Sequence, residues 1–224
     1  MIVTGESIVG LARCRARLGE MPAGVRPMPG PVLIAAVHCT GSEVGPYLEL
    51  AIGEPARLGA RLGWCMTTIV VDSAESRARS RAGTGFPTEL GTLAWDADGD
   101  ERELRWSERQ VVVRGVPSWF RLPMLVPVRA LQRRDDGPVV VPGRLRGIAR
   151  LARVEVAAPD DDPLWPLAGF HRGVTVAGMR FHVRPARTPF GLTSTLRAAP
   201  LHPPEPALSS HKPGLSFPVP QEGV

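Results

Sequence analysis

The sequence predicts a mainly β (α+β) protein, a largely antiparallel β barrel or cone with a few short helices. Three observations carry this. Glycine and proline number 24 each in 224 residues, about 11% apiece against the usual ~7% and ~5%. Such punctuation suits short strands joined by turns, not a helical bundle. Apolar and polar residues alternate along much of the chain, which is the strand period. A clear helix signal with both caps occurs once, around 73–85.

The elements follow in order. Apolar or small residues at Ile8, Gly10, Ala12, Cys14, Ala16 and Leu18 predict a strand within 5–18. Residues 19–31 are turn chemistry. A buried strand is expected at 31–39, and a second at 45–53 with Tyr47, Glu49 and Ala51 on one face. Residues 54–63 read as a loop, and 64–72 as a β-branched strand. Ser73 is the expected N-cap of a helix over 74–82, which ends at Gly83 and Gly85. Pro87 suits a strand start. Short strands are expected near 102–106, 109–114 and 117–128, with a hairpin turn at 135–138. Residues 144–158 read as a long strand whose pattern slips once, marking a bulge. A short helical excursion at 160–169 carries Asp160, Asp161 and Asp162 at its start. Residues 174–183 read as a hairpin about Ala177–Gly178. Periodicity vanishes near 190. One domain over 1–190 is expected, with 191–224 a Pro-rich, disordered tail.

Composition excludes several classes. The formal net charge is +5 and the pI about 10.0. Yet 26 of the 27 basic residues are Arg, and they interleave with acids, as in DGDERELRWSERQ (98–110). That is a solvated surface of mixed sign, so no nucleic-acid partner is expected. No apolar run approaches a membrane span, so no membrane partner is expected. No secretory signal is legible, and a cytoplasmic location is expected. Cys14, Cys39 and Cys65 lack metal spacing and read as small hydrophobes in a reducing compartment. His38 reads as a core or interface residue; His171 and His182 read as neighbours across the expected hairpin, without a third ligand. The five tryptophans read as core. No GxSxG, GxGxxG or P-loop pattern occurs, so no cofactor and no metal are expected. The only lysine, Lys212, lies in the tail. A folded part without lysine cannot form an imine from a core amine.

Two segments carry a resemblance. One is Gly45-Pro46-Tyr47-Leu48-Glu49-Leu50; the other is Ser80-Arg81-Ala82-Gly83-Thr84-Gly85-Phe86-Pro87-Thr88-Glu89-Leu90-Gly91. Together, in this order and spacing, they resemble the acetoacetate decarboxylase family. That family has a Tyr-x-Glu strand, then a helix ending Gly-Arg-Glu, then a Gly-Phe/Tyr-Pro-Lys turn. The resemblance covers residues 1–190 and implies an acetoacetate decarboxylase-like cone around a mostly apolar cavity.

The departures decide the chemistry. The family's Schiff-base lysine falls on Thr88 and its neighbour on Glu89; the Glu and Gly of Gly-Arg-Glu fall on Ala82 and Ser80. Acetoacetate decarboxylase is itself the standing example of a lysine activated beside another cation. A threonine hydroxyl cannot form an imine, and a glutamate beside an amine raises its pKa. The resemblance therefore implies a divergent member that is not a Schiff-base decarboxylase. It would bind a small oxo-acid or related carboxylate, with Arg81, Tyr47, Phe86 and Thr88 as substrate-binding residues. One alternative is a lyase or hydratase using Glu49 or Glu89 as catalytic base, with Arg81 stabilising an enolate. The other is a pseudoenzyme, an accessory or structural protein, with Glu49 and Arg81 paired. The resemblance also implies a homo-oligomer. The chain starts close to its first strand, so Arg13, Arg15 or Arg17 is expected to replace any earlier pocket arginine.

Overall fold

The computed structural model describes residues 1–188. The expected tail, 191–224, lies outside the described residues. In chain order the strands are β1 (Ile2–Ala12), β2 (Arg26–Pro27), β3 (Val32–Gly41), β4 (Tyr47–Leu58) and β5 (Arg61–Val71). Helix α1 (Ala74–Thr84) follows, then β6 (Thr88–Leu90), β7 (Leu93–Asp98), β8 (Glu101–Trp106), β9 (Val111–Arg134), β10 (Gly137–Ala157) and β11 (Gly169–Val183). They form one mixed sheet in the order β6-β5-β4-β3-β1-β11-β10-β9-β8-β7, with β2 against β4. The pairs are antiparallel except β5–β6 and β5–β9, which are parallel. The single β5–β9 bridge joins Trp64 to Ala130 and brings the sheet back on itself. Seven strands thus ring a cavity.

Alternation on the central strands builds both sides of the wall. Ile8 and Ala12 of β1, Val32, Ile34 and Ala36 of β3, and Leu50 and Ile52 of β4 enter the main core. They meet Leu104, Trp106, Val111, Val113, Val154, Val156, Leu164 and Leu167 there. The intervening residues Ser7, Val9 and Leu11, Leu33, Ala35 and Val37, and Tyr47, Glu49 and Ala51 face the cavity. The β7–β8 hairpin is tied to β1 and β3 through Glu6. Its carboxylate accepts from Arg102 Nε at 2.7 Å and Trp95 Nε1 at 3.1 Å, with His38 Nδ1 at 3.4 Å. Burial alone would raise the Glu6 pKa; Arg102, His38 and Trp95 outweigh it and hold it below the usual carboxylate range. Buried Glu54 accepts from the Leu18 and Gly19 amides, both at 3.1 Å, which fastens the loop after β1 to β4.

Four expectations are corrected. Residues 54–63 are not a loop: β4 and β5 continue through them and turn at Gly59, whose φ of 59° fits the left-handed turn position. The expected strands at 109–114 and 117–128 are one strand, β9, whose prolines are accommodated without a break; residues 118–120 bulge opposite Leu151. Ala177–Gly178 is not a hairpin turn. It is a bulge within the single strand β11, with Gly178 at φ 57°, matched by register shifts in both neighbours. His171 and His182 therefore sit toward opposite ends of β11. Finally, the tryptophans differ: Trp106 is buried, but Trp119 is 86% exposed and Trp165 is exposed too.

Asp162 likewise does more than start a helical turn. It forms a two-bonded pair with Arg109, at 2.6 and 2.5 Å, and accepts from the Leu164 amide at 2.7 Å. A 3₁₀ turn follows at Trp165–Leu167.

The seam between β5 and β9 needs Gly63. A Cβ there would collide with the Arg129 carbonyl oxygen. Gly63→Ala is expected to push β5 from β9 and lower stability by about 1–3 kcal/mol, read by urea unfolding. An unchanged midpoint would show that the seam is not under this constraint.

Candidate functional site

The cavity inside the strand ring measures about 540 Å³. Its walls are almost wholly apolar, with Val9, Ala35, Ile69, Met124, Leu145 and Phe181 prominent. Helix α1 contributes Ser76, Arg79, Ser80, Gly83 and Thr84 to its lining. The helix is capped as expected: Ser73 Oγ accepts from the Ser76 amide at 3.2 Å, and Gly85 closes it at φ 71°. Phe86 follows and also lines the cavity.

Tyr47 and Glu49, two residues apart on β4, both face the cavity. Glu49 is enclosed by protein, and its remaining exposure is to the cavity it lines. Burial pushes its pKa up to about 7, with no nearby cation or hydrogen-bond donor opposing the shift. The Tyr47 hydroxyl is pushed up as well, by burial first and then by the Glu49 and Cys39 charges. Ser7 pairs with Val37, and Val37 pairs with Glu49. Ser7 and Glu49 therefore flank Val37 in one cross-strand row, about 10 Å apart at the backbone. Ser7 Oγ and Trp64 Nε1 are buried without a protein partner, and both residues line the cavity. Such orphaned groups in an apolar wall are costly unless a ligand meets them.

The other expected site residues separate. Thr88 is fully buried, and its hydroxyl shares a 2.7 Å hydrogen bond with Ser80 Oγ; it is not itself part of the cavity lining. Arg81 is exposed, and its Nε donates to the Thr88 carbonyl at 2.6 Å, which ties α1 to β6. Arg81 neither pairs with Glu49 nor lines the cavity. Glu89, next on β6, is exposed and points away from Thr88, because successive strand residues alternate. Arg13, Arg15 and Arg17 are exposed and outside the lining. The arginines that do line the cavity are Arg79, paired with Glu43, and Arg184, which has no carboxylate partner among the described residues. Among the described residues no three His, Cys, Asp or Glu side chains converge as metal ligands.

Ser7, Trp64 and Arg184 were not expected from sequence. The signal for Ser7 was present. Ile8, Gly10 and Ala12 mark one buried face of β1, yet Val9 and Leu11 between them are also apolar, the mark of a strand covered on both faces. Trp64 and Arg184 carry no such local signal.

No protein-family model and no curated protein sequence matches this chain. Solved structures do. An acetoacetate decarboxylase superposes with TM-score 0.65 at 14% identity, over 83% of this chain and 87% of the other. The acetoacetate decarboxylase of Legionella pneumophila gives 0.62 at 14% identity, over 83% and 85%. The fold is acetoacetate decarboxylase-like. The enduracididine biosynthesis enzyme MppR in complex with pyruvate has the same fold, with TM-score 0.58 at 15% identity over 83% and 88%. An acetoacetate decarboxylase-like enzyme from Sphingomonas wittichii gives 0.54 at 15% identity, over 83% and 90%.

Within this cavity, Glu49 sets a measurable sign. Its folded pKa of about 7 lies above the ordinary value of 4.5. Its proton therefore favours the folded state. That contribution is complete below about pH 4.5 and is lost as pH rises through about 7. Glu49→Gln mimics the neutral form. It is expected to leave Tm nearly unchanged at pH 5 and to raise it by a few degrees at pH 8. A Tm difference independent of pH would show that Glu49 titrates normally.

Proposed function

We propose that this protein binds a small oxo-acid or related carbonyl compound in the cavity and moves a proton on it with Glu49, without an imine. One observation carries the reading: an unpaired carboxyl with a pKa of about 7 in a mostly apolar cavity. A base poised near neutral pH is suited to general acid–base catalysis. In the forward step Glu49 takes a proton from the carbon beside the carbonyl, leaving an enolate. The protonated Glu49 then returns a proton to carbon or oxygen. The Trp64 N–H and the Ser7 hydroxyl are the donors available to the developing oxygen charge. Arg184 is the cation available to a ligand carboxylate, the role expected of Arg81. Dehydration and isomerisation beside a carbonyl both begin with this proton transfer. The neighbour MppR is known in complex with pyruvate and with the condensation product of pyruvate and imidazole 4-carboxaldehyde, so this fold accommodates such compounds.

Deuterium exchange tests the reading without knowledge of the natural substrate. In D2O the protein is expected to accelerate exchange of the methyl protons of pyruvate or butanone, followed by NMR. The rate should rise with pH through about 7, as Glu49 ionises. Glu49→Gln is expected to reduce it by roughly 100-fold or more. Saturable binding of these compounds with no exchange would instead support a non-catalytic accessory protein.

A second test addresses the missing amine. Pyruvate with borohydride is expected to leave residues 1–188 of the parent protein without an internal adduct, since they contain no lysine. Thr88→Lys is expected to gain one at position 88, because the side chain there starts beside Ser80, which lines the cavity. Glu89 needs no replacement, because it points to solvent. A folded Thr88→Lys variant that stays unlabelled would place position 88 outside the reach of the cavity.

A further inference from the structure

The two ends of the cavity differ in chemistry. Glu43 pairs with both the Met1 ammonium and Arg79, and the same ammonium donates to the Val183 carbonyl, next to Arg184. Arg79 and Arg184 therefore stand at the Met1 end of the lining. The aromatic side chains gather there too: Phe86 and Phe181 pack with Met1, Ala130 and Val183, and Trp64 pairs with Ala130. Away from this end the lining is aliphatic. Val174, Val9, Ala35, Ala51 and Ile69 pair in register across β11, β1, β3, β4 and β5, and all five face the cavity. This belt lies one step along the strands from the row of Ser7, Val37 and Glu49. One step further, Leu11 pairs with Leu33, and both line the cavity. Leu11 is 44% exposed, so the aliphatic end reaches the surface.

A three-carbon oxo-acid leaves this end empty. The cavity holds about 540 Å³. Counted at the roughly 30 Å³ that a water takes in the liquid, the six non-hydrogen atoms of pyruvate fill at most about a third of it. Water is a poor filler for the rest, because it needs several polar partners and the belt supplies none. From the row of Glu49 to Leu11 is four residues of β1, about 13 Å. An extended chain of roughly eight to ten carbons spans that distance at bonds of about 1.5 Å. Ala35 and Ala51, the smallest members of the belt, leave the passage beside Glu49 open. Met66, Met124 and Met179 add flexible thioether side chains to the lining, which adapt to an occupant of varied shape.

The geometry points to a substrate that is an oxo-acid with a hydrocarbon tail of roughly six to ten carbons. Its carboxylate is directed to the Arg184 end, its carbonyl lies at Glu49, and its tail runs along the belt toward Leu11 and Leu33. A flexible chain suits this end better than a ring system, since the belt has no aromatic side chain to stack on. The inference rests on the reading of Glu49 as the group that moves a proton on the carbonyl compound.

Titration calorimetry of the full chain with a homologous series tests it: pyruvate, 2-oxobutanoate, 2-oxohexanoate, 2-oxooctanoate and 2-oxodecanoate. Each added methylene is expected to lower Kd by roughly threefold, until the chain reaches Leu11 and Leu33. Ala35→Leu narrows the belt and is expected to end that gain at a shorter chain. Leu33→Trp, at the far end, is expected to weaken only the longest members. Circular dichroism checks that both variants remain folded. A Kd indifferent to chain length overturns the proposal, as does affinity that is greatest for pyruvate. So do two folded variants that bind the whole series as the parent does. Deuterium exchange at carbon 3 of the same compounds separates this inference from the reading it rests on. Binding that tightens with length but brings no exchange supports the tail and sinks the proton transfer. Exchange with a Kd indifferent to length overturns the tail and leaves the proton transfer standing.

Discussion

Three adjacent strands, β1, β3 and β4, are covered on both faces, and the cavity exists because of it. Their residues Ile8, Ile34 and Leu50 are locked into the main core. The reverse side of the same backbone carries Ser7, Ala35 and Glu49. A wall anchored this way cannot fall inward to fill the cavity without pulling its other face out of a close-packed core. The opposite wall, β9 and β10, is held off by the length of the strands and by the single seam at Trp64 and Ala130. An apolar space thus persists where a simple collapse would have removed it.

The same constraint governs the electrostatics. Glu49 points into the cavity because Leu50 must point into the core. Of the two arginines that line the cavity, Arg79 pairs with Glu43, and neither it nor Arg184 contributes to the state of Glu49. Glu49 is thus removed from bulk water without compensation, and protonation is its cheapest response. Contrast Asp162, which burial also opposes but which Arg109 and the Leu164 amide hold ionised below the usual range. Two carboxyls of one chain are driven in opposite directions by the presence or absence of a guanidinium.

Legibility in the sequence followed range. Local signals read well: the Ser73 cap, the Gly85 stop, and the shared face of Tyr47, Glu49 and Ala51 all stand where local rules put them. Ala177–Gly178 failed because a bulge and a hairpin turn demand the same left-handed glycine; only the partner strands distinguish them. Residues 54–63 failed because Pro55 and Gly59 outweighed a long hairpin stabilised by pairing. Arg81 illustrates the limit for the site. Its position at the end of α1 was legible, but the direction of its side chain depends on the approach of β6, a tertiary fact. Trp64 enters the cavity through the β5–β9 seam, which joins residues 66 apart in sequence. No local pattern encodes such a meeting.

The absence of lysine and the state of Glu49 are linked by one electrostatic argument. Thr88 pairs in register with Ile69, and Ile69 with Ala51, the residue two along from Glu49 on the same face. A lysine ammonium reaching the cavity from position 88 would place a positive charge near the Glu49 carboxyl. An opposite charge in an apolar site favours the ionised form and would draw the carboxyl pKa back down. Threonine supplies no such charge, and its hydroxyl is already bound to Ser80. A threonine at position 88 therefore has two consequences at once. It removes the amine that imine chemistry requires, and it leaves Glu49 near neutrality, able both to accept and to return a proton. With no lysine among the residues that line the cavity, its carboxyl is left to take up and release a proton near neutral pH.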